Sequence, residues 1–289
     1  MNFELLQKHL QQHFTGIKIL GQERIFGGDI NMAACVHTNE GDFFLKWNDA
    51  RRHPNMFEAE FKGLELMRTH SPALRIPKPL LCGEIKGTSF LLMEFIENGH
   101  PKRDFWKNFA KGLSSMHKTS SSFFGLYHNN YMGSLPQSNK RHIDFSNFFI
   151  SERLEPQIKL AYDRNLINSS DITKITQLYG RYNADVPRET PSLIHGDLWT
   201  GNYMIDNQGN ACIYDPAAHF GHRESDLAMS RLFGTFAPEF YHYYNESFPL
   251  EPGWQERTDL FNLYPLLIHV NLFGSSYVSS VMSIVKRFL

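Results

Sequence analysis

The feature that most constrains this chain is a pair of apolar runs, each ending in polar residues, between positions 192 and 217. The first run leads into a His-Gly-Asp tripeptide that ends at Asp197, and Asn202 follows five residues later. The second run ends at Asp215. Short apolar runs bounded by turn residues are typical of buried strands. The sequence therefore predicts two carboxylates and one amide on adjoining loops.

Two carboxylates and an amide in this arrangement suit phosphoryl transfer from a nucleoside triphosphate. One carboxylate deprotonates the attacking hydroxyl, while an Asn and a further carboxylate hold Mg²⁺ on the triphosphate. We assign the first role to Asp197 and the second to Asn202 and Asp215. Asp197 and Asn202 have the D-x-x-x-x-N spacing of protein kinases, and Asp215 corresponds to their later metal-binding Asp. His195 is interpreted as a support of the loop, not as a base. Two hairpin ends with ordinary Gly-Asp turns are the alternative.

The composition argues against several other classes of protein. The 289 residues carry 29 Lys and Arg against 30 Asp and Glu, so nothing indicates a nucleic-acid partner or a charged tail. The longest apolar stretches, 89–96 and 263–273, are interrupted by polar residues and fall short of the ~20 residues that span a membrane. Three cysteines without Cys-x-x-Cys spacing predict no disulfide framework and a reducing, cytoplasmic location.

The first 96 residues predict a small sheet with two helices. Helical spacing of apolar residues predicts helices over 2–13 and 54–70, and strands are predicted over 17–26, 32–37, 43–47, 80–85 and 89–96. Gly27 and Gly28 lie between the first two strands, where exposed backbone N–H groups suit nucleotide phosphates. A plain hairpin turn is an equally good interpretation of these glycines.

Two charged residues occupy positions where the pattern predicts burial. Lys46 lies in the middle of the third apolar strand, and Glu60 falls on the apolar face of the helix over 54–70. A buried charge is costly unless it is paired. We therefore predict an ion pair between Lys46 and Glu60 that holds the α- and β-phosphates of ATP, as in kinases. An ordinary solvated carboxylate is the alternative for Glu60.

A polar Gly/Pro segment after residue 96 predicts a boundary between two lobes, 1–96 and 97–289. A hinge at this point would offer backbone groups of Glu94 and Ile96 to adenine, unless the segment is a plain loop. Segment 125–139 is predicted to be a loop on the substrate side, or else an inert surface loop. Further helices are predicted over 103–118, 143–167 and 171–184, from about 223, and within 260–285.

Three further residues are candidates for substrate binding: Trp199, which lies between Asp197 and Asn202, and His219 and Glu224, which follow Asp215. For Trp199, simple packing against the loop is the alternative. His219 and a neighbouring histidine lack further ligands at a zinc spacing, so zinc is not predicted there. Asp226 is predicted to orient the loop that carries Asp197.

The chain resembles the fructosamine kinase (ketosamine-3-kinase) family. The resemblance rests on the motif His-Gly-Asp-Leu-Trp-Thr-Gly-Asn and the later Asp-Pro-Ala and Gly-His-Arg-Glu-Ser-Asp-Leu-Ala-Met segments, at 195–202, 215–217 and 221–229. It extends to segments 44–47, 56–60 and 271–274 and so covers nearly the whole chain. The first and third motifs together are specific within the wider aminoglycoside and choline kinase group.

The resemblance implies an α+β, protein-kinase-like bilobal fold. Its smaller amino-terminal lobe would hold five antiparallel strands and one helix, and its larger lobe would be mainly helical. The resemblance also implies ATP and Mg²⁺ as cofactors and phosphorylation of the 3-hydroxyl of a ketosamine, such as a fructosamine or ribulosamine, free or protein-bound. Because phosphorylation makes the adduct labile, this would be a deglycation reaction.

Two rival functions stay open at this point. The first is a kinase for an aminoglycoside, choline or another hydroxylated metabolite, and the second is a non-catalytic nucleotide-binding module. Many members of the family carry a cysteine in the phosphate-covering loop, but segment 26–31 has none. Redox control by that route is therefore not expected in this protein.

Overall fold

The first part of the chain forms a five-stranded antiparallel sheet, and successive side chains of each strand alternate between its two faces. The computed structural model describes residues 1–25 and 31–289. Its first elements are α1 (Phe3–His13), β1 (Ile19–Ile25), β2 (Met32–Thr38), β3 (Gly41–Asp49), α2 (Met56–His70), β4 (Pro79–Ile85) and β5 (Thr88–Glu94). The strands lie in the order β1-β2-β3-β5-β4. The five strands and two helices predicted for this part are thus all present, with small differences in their bounds.

The two faces of the sheet are covered by different parts of the chain. Successive side chains of a strand point to opposite faces, so Leu45 and Lys46 of β3 project in opposite directions. Leu45 belongs to an apolar cluster with Leu10 of α1. Met93 of β5 belongs to another cluster, which includes residues of α2 and of the later helices. The face that carries Lys46 is therefore directed towards the second part of the chain.

The second part of the chain is mainly helical. Its helices are α3 (Phe105–His117), α4 (Phe145–Phe149), α5 (Glu155–Asp163), α6 (Ser169–Thr176), α7 (Tyr179–Ala184), α8 (Glu224–Met229), α9 (Pro238–Ser247), α10 (Trp254–Phe273) and α11 (Val278–Phe288). Three antiparallel strand pairs lie among them: β6 (Asn130–Met132) with β7 (Leu135–Gln137), β8 (Ser192–Ile194) with β11 (His219–Gly221), and β9 (Tyr203–Ile205) with β10 (Ala211–Ile213).

The helix predicted over 143–167 is interrupted. A π-helical turn, Ile150–Leu154, separates α4 from α5, which ends at Asp163. Pro156 lies in the first turn of α5, where its missing N–H is tolerated, whereas inside a continuous helix it would break a hydrogen bond. The hydroxyl of Ser151 donates to the carbonyl of Asn147 at 2.6 Å in the same turn. The apolar spacing predicts helical structure here correctly, but it does not reveal the break at the proline.

The helix predicted over 171–184 is two helices, α6 and α7. Helix α6 begins at Ser169 because Asn168 and Asp171 form a reciprocal capping box, in which each side chain accepts a hydrogen bond from the backbone of the other. The segment predicted as a loop over 125–139 contains the β6–β7 hairpin. Gly133 takes a φ of +60° in its turn, a conformation that glycine adopts readily.

The predicted absence of a disulfide framework is confirmed, because Cys35, Cys82 and Cys212 are all free thiols. Across residues 1–25 and 31–289, no helix combines the length and the apolar character that crossing a lipid bilayer requires. The longest helix in the described part of the chain, α10, contains Pro265 and is buried along most of its length.

Candidate active site

The β8–β11 and β9–β10 pairs bring the predicted catalytic and metal-binding residues together. Asp197 and Asn202 lie between β8 and β9, and Asp215 follows β10. The Asn202 amide group donates to the carbonyl oxygen of Asp197 at 2.8 Å and to its carboxylate at 2.9 Å. The backbone N–H of Tyr214 donates to the carbonyl of Asn202 at 3.1 Å. These bonds hold both acidic loops against one another.

Backbone geometry explains two residues of this site. Asp215 has a φ of +57°. Positive φ values are uncommon for residues other than glycine, and residues that adopt them are often found at functional sites. Gly196 has a φ of +82°, and a Cβ atom there would lie 2.4 Å from the carbonyl oxygen of Ala217. Glycine is therefore required between His195 and Asp197, at the position where kinases carry the arginine of their H-R-D motif.

Lys46 joins the sheet to the acidic loops. Its Nζ donates to Glu60 Oε1 at 2.8 Å and also to the carboxylate of Asp215. The side chains of Lys46 and Glu60 are 8% and 10% exposed, so the predicted buried pair is present. Burial alone would lower the pKa of Lys46, but the carboxylates of Asp215 and Glu60 outweigh it and raise this pKa. Lys46 therefore stays charged at the cleft.

Asp197 has the electrostatic environment of a general base. Burial of its carboxyl group raises its pKa to about 7, Asp215 and Asp226 add to this rise, and the hydrogen bond from Asn202 opposes it. A base works best when its pKa lies near the operating pH. Asp197 is therefore suited to accept a proton from a substrate hydroxyl near neutral pH.

Asp226 of α8 supports the loop that carries Asp197, as predicted. Its fully buried carboxylate accepts hydrogen bonds from the backbone N–H groups of His195 and Gly196 at 2.7 and 2.8 Å. His117 of α3 lies 3.1 Å away on the other side. A buried carboxylate with several donors is an effective anchor for a loop.

His195 is confirmed as a structural residue. Its Nε2–H donates to the carbonyl of Tyr214 at 2.9 Å, and its Nδ1 accepts from the backbone N–H of Asp197 at 3.2 Å. Both ring nitrogens are therefore occupied. Burial lowers the pKa of His195, which keeps the ring neutral and stabilises this arrangement.

A cleft of about 230 Å³ lies between the sheet and the helices. It is lined by the side chains of the predicted catalytic, phosphate-binding and metal-binding residues, which are Lys46, Glu60, Asp197, Asn202 and Asp215. The opposite wall comes from the β6–β7 hairpin and from the last two turns of α10, residues 268–273. Segment 125–139 thus reaches the cleft, and its place on the substrate side stays a prediction.

Aromatic side chains also line the cleft. Trp199 lines it, and Gly201 lets the indole lie close to the backbone, because a Cβ there would be 2.4 Å from the ring. His269 and Tyr131 line the same cleft but were not identified from the sequence. His269 is a polar residue within the apolar run over 263–273. Such an interruption is a sequence signal that could have marked it as a candidate site residue.

The structure does not bring His219 or Glu224 into the cleft. The Glu224 carboxylate is buried in a two-bond pair with Arg257 of α10, at 2.6 and 3.0 Å. His219 is 5% exposed and donates from Nδ1 to the carbonyl of Ala217 at 2.8 Å. It lines another cavity, of about 30 Å³, together with residues such as Phe148 and Tyr264. We therefore propose no substrate contact for either residue.

The remaining predicted residues concern the nucleotide. Gly27 and Gly28 lie outside the described residues. The Glu94 carboxylate accepts a hydrogen bond from Arg75, and the backbone N–H of Glu94 donates to the backbone carbonyl of Lys78 at 2.9 Å. Ile96 lies two residues beyond β5, and its backbone makes no hydrogen bond to other backbone groups in the described part of the chain. Adenine binding at these positions stays a prediction.

Replacing His219 by Gln is expected to weaken the pH dependence of stability. Burial, with a contribution from the Arg153 cation, lowers the pKa of His219 to about 3, whereas an unfolded histidine titrates at about 6.5. Between these values the unfolded chain binds one more proton, so the unfolding free energy falls as the pH falls. Between about pH 5 and 6, the slope of the unfolding free energy against pH should therefore be smaller in His219→Gln than in the unchanged protein, by up to about 1.4 kcal/mol per pH unit.

Urea unfolding at a series of pH values measures this slope. At about pH 8, histidine is neutral in both states, so a difference between the two proteins there reports packing alone. An unchanged slope in the variant would show that His219 does not resist protonation in the folded protein.

Comparison with known proteins supports the relationship indicated by the site. The sequence model of the fructosamine kinase family matches residues 2–289. A probable ketoamine kinase of Enterococcus faecium is 40% identical over 286 residues, covering 96% of this chain and 99% of the relative. A chloroplastic protein-ribulosamine 3-kinase of Oryza sativa subsp. indica is 40% identical over 278 residues, covering 94% and 80%.

Solved structures confirm the predicted α+β, protein-kinase-like fold. A crystal structure assigned as a fructosamine-3-kinase from Haemophilus somnus 129PT has a TM-score of 0.88 and 27% identity, covering 98% of this chain and 96% of that one. A thermostable mutant of the aminoglycoside phosphotransferase APH(4)-Ia, bound to AMP-PNP and hygromycin B, shares the fold with a TM-score of 0.65 and 16% identity over 97% and 98%. Because the family model spans all but the first residue, the chain belongs to the fructosamine kinase family and is a phosphotransferase that acts on a hydroxyl group.

Proposed function

We propose that this protein transfers the γ-phosphoryl group of ATP to the 3-hydroxyl of a ketosamine, free or attached to a protein. The observation that carries the proposal is the convergence of Lys46, Asp197 and Asp215 on one cleft. The names of the relatives supply the substrate class. Phosphate is a better leaving group than hydroxide, so the product would lose a proton from carbon 1 and phosphate from carbon 3, next to the ketone carbon. Hydrolysis of the resulting imine would release the amine, and the reaction would reverse glycation.

The residues at the cleft fit a magnesium–nucleotide complex. Mg²⁺ prefers hard oxygen ligands and is commonly bound by one or two carboxylates together with substrate phosphates. Asp215 offers a partly exposed carboxylate. Asn202 directs its amide nitrogen to Asp197, which leaves its carbonyl oxygen to serve as a ligand. When bound, Mg²⁺ neutralises charge on the triphosphate.

Lys46 is placed to bind the α- and β-phosphates. Its contact with Glu60 fixes the ammonium group, while its contact with Asp215 can be exchanged for phosphate oxygens. Gly27 and Gly28 would cover the phosphates with backbone N–H groups, and backbone groups of Glu94 and Ile96 would bind adenine. The fixed positions of these groups, rather than a covalent step, would supply most of the rate.

Asp197 would accept the proton of the sugar hydroxyl as the oxygen attacks the γ-phosphorus atom. The hydrogen bond from Asn202 at 2.9 Å orients its carboxylate, and its raised pKa suits this transfer. Trp199 would pack against the sugar, and His269 and Tyr131 line the same cleft. His269 donates from Nδ1 to the carbonyl of Pro265 at 2.7 Å, so its Nε2 can accept a hydrogen bond from a sugar hydroxyl.

A substrate panel tests the proposal directly. With ATP and Mg²⁺, we expect ribulose-lysine and fructose-lysine to exceed kanamycin and choline in kcat/KM by at least about 100-fold, because buried polar groups discriminate strongly against mismatched ligands. Phosphorus–proton NMR should locate the phosphate on carbon 3. A phosphate on another carbon, or a preference for kanamycin or choline, would replace ketosamine with the rival substrate. An absence of transfer to any acceptor would favour the non-catalytic module.

A further inference from the structure

A second cluster of reactive side chains lies on the sheet, apart from the catalytic loops. Cys35 and His37 of β2 and Asp42 of β3 place one donor atom each within 4.8 Å of one another. His37 Nδ1 is 2.8 Å from Asp42 Oδ1 and 3.9 Å from Cys35 Sγ. None of these three residues has a part in the proposed phosphoryl transfer.

Strand register explains why these donors meet. Cys35 and His37 are two residues apart on one strand and therefore project from the same face. Asp42 is the direct cross-strand partner of His37, and Glu23 of β1 is the partner of Cys35. Directly paired residues have Cβ atoms about 4.5–5.5 Å apart. Because the sheet holds the donors together in advance, a ligand that binds them pays little ordering entropy.

The sulfur of Cys35 and the carboxylate of Asp42 lie near the same ring nitrogen, Nδ1 of His37. An imidazole nitrogen either donates one proton or accepts one, so Nδ1 of His37 cannot serve Asp42 and Cys35 equally. A nucleophilic triad is also excluded, because it needs the thiol and the carboxylate on opposite ring nitrogens. A cation between the three donors would satisfy all of them.

The observed distances are close to those of a zinc site. Zinc–ligand bonds of about 2.0 to 2.3 Å in a tetrahedron place donor atoms about 3.3 to 3.6 Å apart. The separations of 2.8 and 3.9 Å around His37 Nδ1 lie on either side of this range. The third separation, between Cys35 Sγ and the Asp42 carboxylate, is within 4.8 Å. Shifts of about 1 Å would therefore complete the geometry.

The geometry points to a binding site for a borderline-soft divalent cation, Zn²⁺ in the first place, formed by Cys35, His37 and Asp42. Mixed sulfur, nitrogen and oxygen donors favour zinc over Mg²⁺. The side chains of His37 and Asp42 are 41% and 45% exposed, so the ion enters from solvent, while Cys35 forms the buried side. On binding, the thiol proton passes to solvent, and His37 keeps its remaining proton on Nε2.

This site is separate from the proposed magnesium site. Lys46 lies on the same face of β3 as Asp42 but four residues further along, which corresponds to about 13 Å. Asn202 and Asp215 offer only oxygen ligands, whereas Cys35 offers sulfur. The inference therefore does not depend on the proposed phosphoryl transfer.

Cobalt substitution tests the site in the full-length protein. Co²⁺ added without nucleotide should give a thiolate-to-cobalt charge-transfer absorption in the near ultraviolet that saturates at one equivalent, and Zn²⁺ should abolish it. Co²⁺ bound by Asp215 and Asn202 cannot give this band, because no sulfur is present there. The absence of the band in the unchanged protein would overturn the proposal.

Single replacements assign the ligands. Cys35→Ser should abolish the band, and His37→Gln or Asp42→Asn should weaken Zn²⁺ binding by at least about tenfold. The last two positions are exposed, so these variants should fold even if the Cys35 variant does not. Cys82→Ser, a matched change of another thiol on the same sheet, should keep the band. Loss of the band in Cys82→Ser, or unchanged Zn²⁺ affinity in both exposed variants, would contradict the assignment.

Discussion

Replacing Asp197 by Asn is expected to lower kcat by about 10³-fold, because the variant cannot accept the proton of the attacking hydroxyl. Asn has nearly the same shape, and its carbonyl oxygen can still accept the hydrogen bond from Asn202. Nucleotide affinity should therefore change little, since Lys46, Glu60 and Asp215 are untouched. Steady-state kinetics with a ketosamine and calorimetric titration with ATP would separate the two effects.

Asp163→Asn provides the control for this experiment. Asp163 makes an exposed pair with Lys159 on α5, so the same chemical change there should leave kcat unaltered. If Asp197→Asn retained the turnover of the unchanged protein, another group would have to be the base. A parallel loss of ATP affinity would instead indicate a collapsed site.

Replacing Asp226 by Asn is expected to lower the unfolding free energy by about 3 kcal/mol, because it breaks a buried charge network. The Asp226 carboxylate accepts from two backbone N–H groups and faces His117. An amide has only one oxygen, so its NH₂ group must face one of these donors. We expect kcat to fall by about 10²-fold as well, because the loop that positions Asp197 shifts. Urea unfolding and kinetics measure the two effects.

Asp206→Asn is a matched control for Asp226→Asn. Asp206 is also buried, and it accepts from the backbone N–H groups of Gln208 and Asn210 at 2.9 and 2.8 Å. Because it anchors the β9–β10 turn, its replacement should reduce stability without changing kcat of the folded protein. Equal losses of kcat in both variants would show that general destabilisation, not loop position, limits turnover.

Several parts of this site could be predicted because local patterns carry them. Lys46 and Glu60 are charges at positions where strand alternation and helical spacing require burial, and an unpaired buried charge is unfavourable. Asp197, Asn202 and Asp215 follow short apolar runs in a spacing that suits metal and proton chemistry. The pairing of Lys46 with Asp215, across 169 positions, is seen only in the structure.

Other parts could not be predicted, because their partners lie far away in the sequence. From the sequence, Glu224 is a candidate substrate-binding residue. In the structure its counterion is Arg257, which lies 33 positions later in the chain. The break between α4 and α5 depends on Pro156 and on how both helices meet the core, which periodicity alone does not describe. The cluster around His37 depends on strand register, and register is set by the whole sheet.

The sequence by itself determined the order of most elements and the chemical groups available to them, because periodicity, turn residues and buried charges act over a few positions. Only the tertiary structure decided which of these groups share a cleft. His269 and Tyr131 reach it because α10 and the β6–β7 hairpin pack around the acidic loops. Such packing joins residues more than 50 positions apart, such as Asp215 and His269, and no local pattern encodes it.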